Sequence, residues 1–238
     1  MKKILVASLA LFATASVATA DTVRLGTEGA YMPWNGLDDN NEVIGFEREV
    51  GDALCDIAGL TCEWVINDWD SIIPNLVAGN YDAIIAGMSI TAERDEVIDF
   101  TAAYYPPSPS LYLALAGGSA SGVIAAQTNT IQAGYVAESG GDLIEFSTPD
   151  ETIAAVRSGE ADAVLADGDY LTPIVEESGG ELAIVGDSVY IGGGVGMGVR
   201  ETDGDLKAAM DAAIDQLKSD GSLNALITKW FGADSAVY

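Results

Sequence analysis

The sequence predicts an α/β fold in two lobes, each a mostly parallel sheet flanked by helices. Three observations predict it. Strand and helix signals alternate along most of the chain, which is the pattern of strands covered by crossover helices. Gly79-Asn80-Tyr81-Asp82-Ala83-Ile84-Ile85-Ala86 and Gly159-Glu160-Ala161-Asp162-Ala163-Val164-Leu165-Ala166 share the form G-x-x-D-A-x-x-A, each after a helical stretch. Helix-Gly-strand joints converge on this form, so the pattern alone leaves open a chance likeness. Two stretches, Tyr104-Tyr105-Pro106-Pro107-Ser108-Pro109 and Gly192-Gly193-Gly194-Val195-Gly196, read as the paired extended crossings that a hinge needs. The division that follows is residues 21–106 and 195–238 for the first lobe and 107–194 for the second.

At the amino end, Lys2 and Lys3 precede an apolar run from Ile4 to Val17, and Ala18-Thr19-Ala20 stands before Asp21. This predicts a cleaved secretory signal peptide over residues 1–20. The alternative, an uncleaved anchor, has a run short of the roughly 20 residues that span a bilayer. Thr22–Gly26 reads as a strand, and Val43–Phe46 as another after the turn Asp38-Asp39-Asn40-Asn41. Glu47–Ala58 reads as a helix with Val50, Leu54 and Ile57 on one face and Gly59 as its stop. Cys62–Ile66 is a strand, Ser71–Ala78 a helix with Asp70 in the capping place, and Ala83–Ala86 a short buried strand. A helix is expected from near Ile131. Two more, Leu206–Ser219 and Leu223–Phe231, return the chain to the first lobe.

The composition narrows the function. There are 37 acidic side chains, 10 basic ones and no histidine. A nucleic-acid partner needs a basic face, which this balance does not supply. Without histidine there is no Ser-His-Asp triad and no imidazole metal ligand. With 49% hydrophobic and 20% charged residues the chain is globular rather than disordered. No metal site and no cofactor is expected. Export gives the two cysteines meaning: Cys55 and Cys62, seven apart, read as a disulfide between a helix end and a strand start, with two free buried thiols as the other reading.

Beyond the signal segment only eight cations remain, and Arg94 alone among them follows a strand end and a polar turn, Ser89-Ile90-Thr91. Its guanidinium can fork onto a carboxylate, or it can pair at the surface with Glu93 or Asp95. Asp167 holds the matching place in the second lobe. It suits an ammonium group, or caps the segment starting at Asp169. Thr128-Asn129-Thr130 precedes a helix, where N–H groups bind anions or are simply capped. Tyr31, Trp34 and Trp69 sit in or near loops at predicted sheet edges, as ligand walls or as core. Glu28 lies just past the first strand, facing a ligand or solvent.

Together these residues resemble the extracellular solute-binding proteins of polar amino-acid ABC transporters, over essentially the whole mature chain. The likeness is carried by Gly45-Phe46-Glu47-Arg48-Glu49-Val50, Ile90-Thr91-Ala92-Glu93-Arg94, Phe100-Thr101, and the ending from Gly221-Ser222-Leu223 to Lys229-Trp230-Phe231. Cys55 and Cys62 fall where relatives of the lysine/arginine/ornithine and histidine binders have a disulfide. Thr27-Glu28-Gly29-Ala30-Tyr31 and Asp68-Trp69-Asp70 are similar to the opine and basic amino-acid branch.

The resemblance implies a periplasmic-binding-protein (Venus flytrap) fold, in which a periplasmic monomer closes on one amino acid and delivers it to a membrane permease. It implies no enzyme. By it, Arg94 takes the α-carboxylate with Thr130, and Asp167 takes the α-ammonium with Ser89 and the Gly87 carbonyl. Tyr31 and Trp69 wall the side chain, and Glu28 meets its far end. That suggests a cationic ligand such as arginine, lysine or ornithine. Another polar amino acid or an opine is the alternative, and a cyclohexadienyl-dehydratase-like enzyme with Glu28 as acid is a weaker one. Two departures stand out: Thr128-Asn129-Thr130 replaces a Gly-Thr-Thr-like turn, and Gly117–Gly122 replaces a longer segment, which implies a smaller second lobe.

Overall fold

The computed structural model describes residues 22–238, so the signal-peptide reading lies outside the described residues. The chain opens with β1 (Thr22–Thr27), a small ribbon of β2 (Gly36–Leu37) and β3 (Val43–Ile44), α1 (Phe46–Ala58) and β4 (Thr61–Ile66). A 3-10 turn, Trp69–Ser71, leads into α2 (Ile72–Val77), then β5 (Ala83–Ile84), α3 (Ala92–Asp95) and β6 (Asp99–Phe100). After the first crossing come β7 (Ser110–Leu115), β8 (Val123–Gln127), α4 (Ile131–Glu138) and β9 (Asp142–Phe146). Then follow α5 (Pro149–Ser158), β10 (Ala163–Asp167), α6 (Gly168–Glu177) and β11 (Leu182–Val189). The return crossing leads to β12 (Gly198–Val199), α7 (Gly204–Ser219) and α8 (Ser222–Phe231).

Two five-stranded sheets result, in the orders β4-β1-β5-β12-β6 and β11-β7-β10-β8-β9. In each, one strand opposes the other four. β12 runs antiparallel to β5 and β6, and β7 antiparallel to β10 and β11. The reversed strand is in both cases the one that follows a crossing, so it enters its sheet from the hinge side. Read from the β9 edge, the second sheet repeats the first.

The G-x-x-D-A-x-x-A likeness has a structural cause. The Asp82 N–H donates to the Arg24 carbonyl (2.8 Å), and the Arg24 N–H returns a bond to the Asp82 carboxylate (3.0 Å). The Asp162 N–H donates to the Val123 carbonyl (2.8 Å), and the Val123 N–H returns to the Asp162 carboxylate (2.8 Å). In each lobe one aspartate thus clips the start of the central strand to the start of its parallel neighbour. It satisfies a donor that the ladder has not yet reached.

Several boundaries differ from the sequence reading. Phe46 is the first residue of α1 and not the end of a strand: its N–H bonds the Pro33 carbonyl (2.9 Å), and its buried ring meets Trp34, Tyr105 and Phe231. The second helix starts one residue late and ends one early, with Trp69–Ser71 forming a 3-10 turn ahead of it. Asp70 lies inside that turn and caps nothing. β5 stops at Ile84, and the backbone then turns toward the sheet edge through Gly87 at φ 61°. α1 ends as expected on Gly59, at φ 68°, where a side chain would be strained.

The first-lobe core is built from both ends of the chain. Val23, Leu25, Val50 and Leu54 share it with Met210, Ile214, Leu217 and Ile227. Leu113, Val156, Val164 and Leu171 form the second-lobe core from one continuous stretch. Cys55 and Cys62 are bonded, tying α1 to β4.

Two outcomes follow from these joints. Replacing both cysteines by alanine lowers the unfolding free energy by about 2–3 kcal/mol, the range for so short a loop, as measured by urea titration. Asp82 is held down to about 2, first by its hydrogen bond from Arg24. A depressed folded pKa contributes stability that is present above the unfolded value of about 3.9 and lost as pH falls through the folded one. Asp82→Asn therefore costs about 1–2 kcal/mol near neutral pH after allowance for partial exposure, and the gap narrows between about pH 4 and pH 2.

Candidate functional site

The strands deliver their next residues to facing carboxyl edges, where open α/β sheets place ligands. β1 hands on to Glu28 and the loop to Tyr31, and β5 to Gly87 and Ser89. β8 ends in Gln127 ahead of Thr130, and β10 ends in Asp167. These edges line a narrow, partly open cavity between the lobes. Glu28, Tyr31, Trp69, Gly87, Ser89, Arg94, Thr130 and Asp167 all line it, so the structure brings together every predicted ligand residue. Trp34 does not: it is buried in the core, 4.5 Å from Tyr105 between ring centroids.

Arg94 supplies the positive pole. Arg24, Arg48, Arg157, Arg200, Lys207 and Lys229 form ion pairs, and Lys218 lies over the Tyr238 ring. Among the described residues Arg94 forms no ion pair, and the surface pairing with Glu93 or Asp95 is not made. Its Nη1 donates to the Ser89 carbonyl (2.9 Å) and its Nη2 to the Asn129 carbonyl (3.2 Å). Its guanidinium carbon stands 5.3 Å from the Trp69 ring centre. Burial lowers its pKa to about 10, so it stays protonated while short of a counter-charge.

Asp167 supplies a negative pole. It holds the N-cap place of α6, yet its side chain makes no capping bond. Its carboxylate turns into the cavity instead. Tyr31 donates its hydroxyl to Oδ2 (2.9 Å), and Gln132 Nε2 donates to Oδ1 (2.8 Å). Burial raises Asp167 to about 6, against the lowering effect of those donors and of Arg94.

Glu28 makes a second negative pole. Gln127 Nε2 donates to its Oε1 (2.6 Å). Burial raises it to about 7, and the charges of Asp70, Asp68 and Asp150 push the same way. Tyr31 is backed from the second lobe by the buried Tyr170, on which it stacks with ring centres 4.2 Å apart and planes at 16°. Thr130 caps α4, accepting from the Ala133 N–H (3.2 Å) and donating its hydroxyl to the Gln127 carbonyl (2.6 Å). Capping and a place on the cavity wall therefore coexist there.

Gln127, Gln132 and Tyr170 were missed in the sequence. Gln127 had one available signal, as the last residue of a strand aimed at the ligand edge. Tyr170 had another, three residues past Asp167. Gln132 had none, since an amide in a first helical turn reads as surface. Contacts that cross between the lobes here include Tyr31 to Asp167, Tyr31 to Tyr170, Glu28 to Gln127, Arg94 to Asn129 and Tyr105 to Asp169. The arrangement presents one cation and two separated carboxylates within a shared cavity, a pattern complementary to a zwitterion with an added positive charge.

The profile of the bacterial extracellular solute-binding proteins, family 3, matches residues 23–233. The L-arginine-binding protein of Pseudomonas aeruginosa is 31% identical over 245 residues, covering 95% of this chain and 94% of that protein. The lysine/arginine/ornithine-binding periplasmic protein of Escherichia coli K12 is 30% identical over 244 residues, with 95% and 94% covered. A periplasmic His/Glu/Gln/Arg/opine family-binding protein from Silicibacter pomeroyi, solved in complex with lysine, superposes with a TM-score of 0.90. It is 70% identical, with 91% of this chain and all of that chain covered.

Proposed function

This chain belongs to family 3 of the bacterial extracellular solute-binding proteins, and on that premise we propose that it is the periplasmic component of an ABC amino-acid importer that closes on lysine, arginine or ornithine. The observation that carries the choice of ligand is the pairing of Arg94 and Asp167 from different lobes with a second carboxylate, Glu28, in one cavity. In this reading Arg94 receives the α-carboxylate, Asp167 the α-ammonium and Glu28 the side-chain cation, with Tyr31 and Trp69 along the aliphatic stem. The lysine held by the 70%-identical relative supports a basic ligand. We take residues 21–106 and 195–238 as one moving body and 107–194 as the other.

Closure follows from the charges. Two carboxylates and three nearby acids resist being brought together in a buried site, and Arg94 alone does not neutralise them. A basic amino acid adds one anionic group for Arg94 and two cationic groups for the acids. These contacts exist only when the lobes meet, so the ligand shifts the open–closed population. The closed pair of lobes is then the form presented to the permease.

A thermal-shift screen of amino acids tests the reading, since binding to the folded state alone raises its melting point. Lysine, arginine and ornithine are expected to give the large shifts; shifts from neutral amino acids only would remove Glu28 from its role. Arg94→Ala weakens every α-amino acid by about 100-fold or more, the loss expected for a charge-assisted bidentate contact. Glu28→Gln weakens basic ligands by about tenfold or more and leaves glutamine within about threefold, both read by titration calorimetry.

Binding should also depend on pH. Asp167 (about 6) and Glu28 (about 7) must lose their protons to meet cations. Affinity for lysine therefore rises by roughly 10–100-fold from about pH 5.5 to about pH 7.5, with proton release on binding. In Glu28→Gln the rise flattens, leaving the component from Asp167.

A further inference from the structure

Glu47 is a buried titratable group that the ligand contacts leave unused. It lies in the first turn of α1 with its side chain wholly enclosed, and it joins no ion pair among the described residues. Its Oε1 accepts from the Gly87 N–H (2.6 Å) and from the Tyr104 hydroxyl. Its Oε2 accepts from Asn35 Nδ2 (2.7 Å). Each partner leads to the cleft or the hinge. Gly87 lines the cavity. Asn35 exchanges backbone bonds with Tyr31 (2.8 and 3.1 Å), and its Oδ1 accepts from the N–H of Gly29, next to Glu28 (2.7 Å). The Tyr104 N–H bonds the Val195 carbonyl on the return crossing (2.8 Å).

We infer that Glu47 is the positioning residue of the cleft: its carboxylate holds Gly87, the Glu28–Tyr31 loop and the Tyr104 crossing in register, and only an acceptor at both oxygens can do so. The bonds run in one direction. All three groups facing Glu47 are donors. An amide in its place turns a donor toward Asn35 Nδ2. If Asn35 flips to receive it, its own amino group meets the Gly29 N–H. A buried donor is then orphaned at one end or the other, and each such loss is costly. The positive end of α1 and the three donors offset part of the cost of burying the anion.

The directionality supplies the test. Glu47→Gln breaks the chain of bonds, and Asn35→Asp sets two carboxylates against each other. In the double variant the new carboxylate at position 35 accepts from Gly29 and from the new amide, while the side-chain carbonyl at position 47 still accepts from Gly87 and Tyr104. Each single variant should bind lysine about tenfold or more weakly by calorimetry on folded protein, and the double variant should return to within about threefold of the parent. Without ligand, the Gly29 and Gly87 amides should exchange hydrogen about tenfold or more faster in Glu47→Gln and regain protection in the double variant.

A parent-like Kd and parent-like exchange in Glu47→Gln, or a double variant no better than the singles, overturns the inference. So does a loss of melting temperature with Kd unchanged, which marks a role in stability alone. If Glu47→Gln does not fold, the double variant decides by the same criteria. The affinity arm rests on the proposed ligand class. Failure of lysine to bind the parent would count against that class, and the exchange arm would then decide the inference about Glu47.

Discussion

Charge held out of water without its counter-charge is the constraint on which the structure turns. Arg94, Asp167 and Glu28 are drawn into one narrow cavity, and among the described residues none of them forms an ion pair there. Carbonyls, amides and a tyrosine hydroxyl occupy them instead. Neutral dipoles of this kind lower the cost of burial without removing the charge. They hold each group in place yet can be released to a better partner. The shifts of Arg94 downward and of both acids upward are two faces of that same desolvation.

Such a cavity needs walls that do not give, and the two lobes build theirs alike. Asp82 and Asp162 fix where the central strands begin, and the strand lengths then set where they end. Most of the cleft residues sit at those ends or a few positions past them, as Gln127 and Asp167 at the ends and Glu28 just beyond one. Stiffness in the sheets is therefore converted into placement of side chains in the loops, which would otherwise be mobile. The buried network around Glu47 extends the same control to the loop carrying Glu28 and Tyr31.

The sequence showed this plan unevenly, for physical reasons. Alternation of strand and helix, the glycine stops and the repeated Asp-Ala joint are local signals, and they survive in a one-dimensional reading. Arg94 was legible because cations are so scarce here that an unpaired one is conspicuous. Asp167 was legible only by its place in the repeat. Tyr170 owes its role to the meeting of two lobes, and Gln132 to a bond from α4 to the end of β10 within the second lobe, 35 residues away. Glu47 read only as the first residue of a helix. Its burial depends on Asn35, Gly87 and Tyr104, between 12 and 57 residues away. Phe46 was drawn into the helix for a similar reason: an aromatic cluster of distant residues outweighs a β-prone local run.

The composite first-lobe core has a consequence for the order in which the polypeptide can assemble. Its second lobe is one uninterrupted stretch, so its contacts close over short loops as soon as β11 is present. The first lobe cannot finish in that way. β1, β4 and α1 wait for β12, α7 and α8, which are made last, and until then Val23, Leu25, Val50 and Leu54 lack the far side of their core. The middle of the chain can thus complete its core before the two ends complete theirs, and the last helices close the first lobe. A first lobe whose core needs both ends of the chain is one that cannot lock before synthesis is complete.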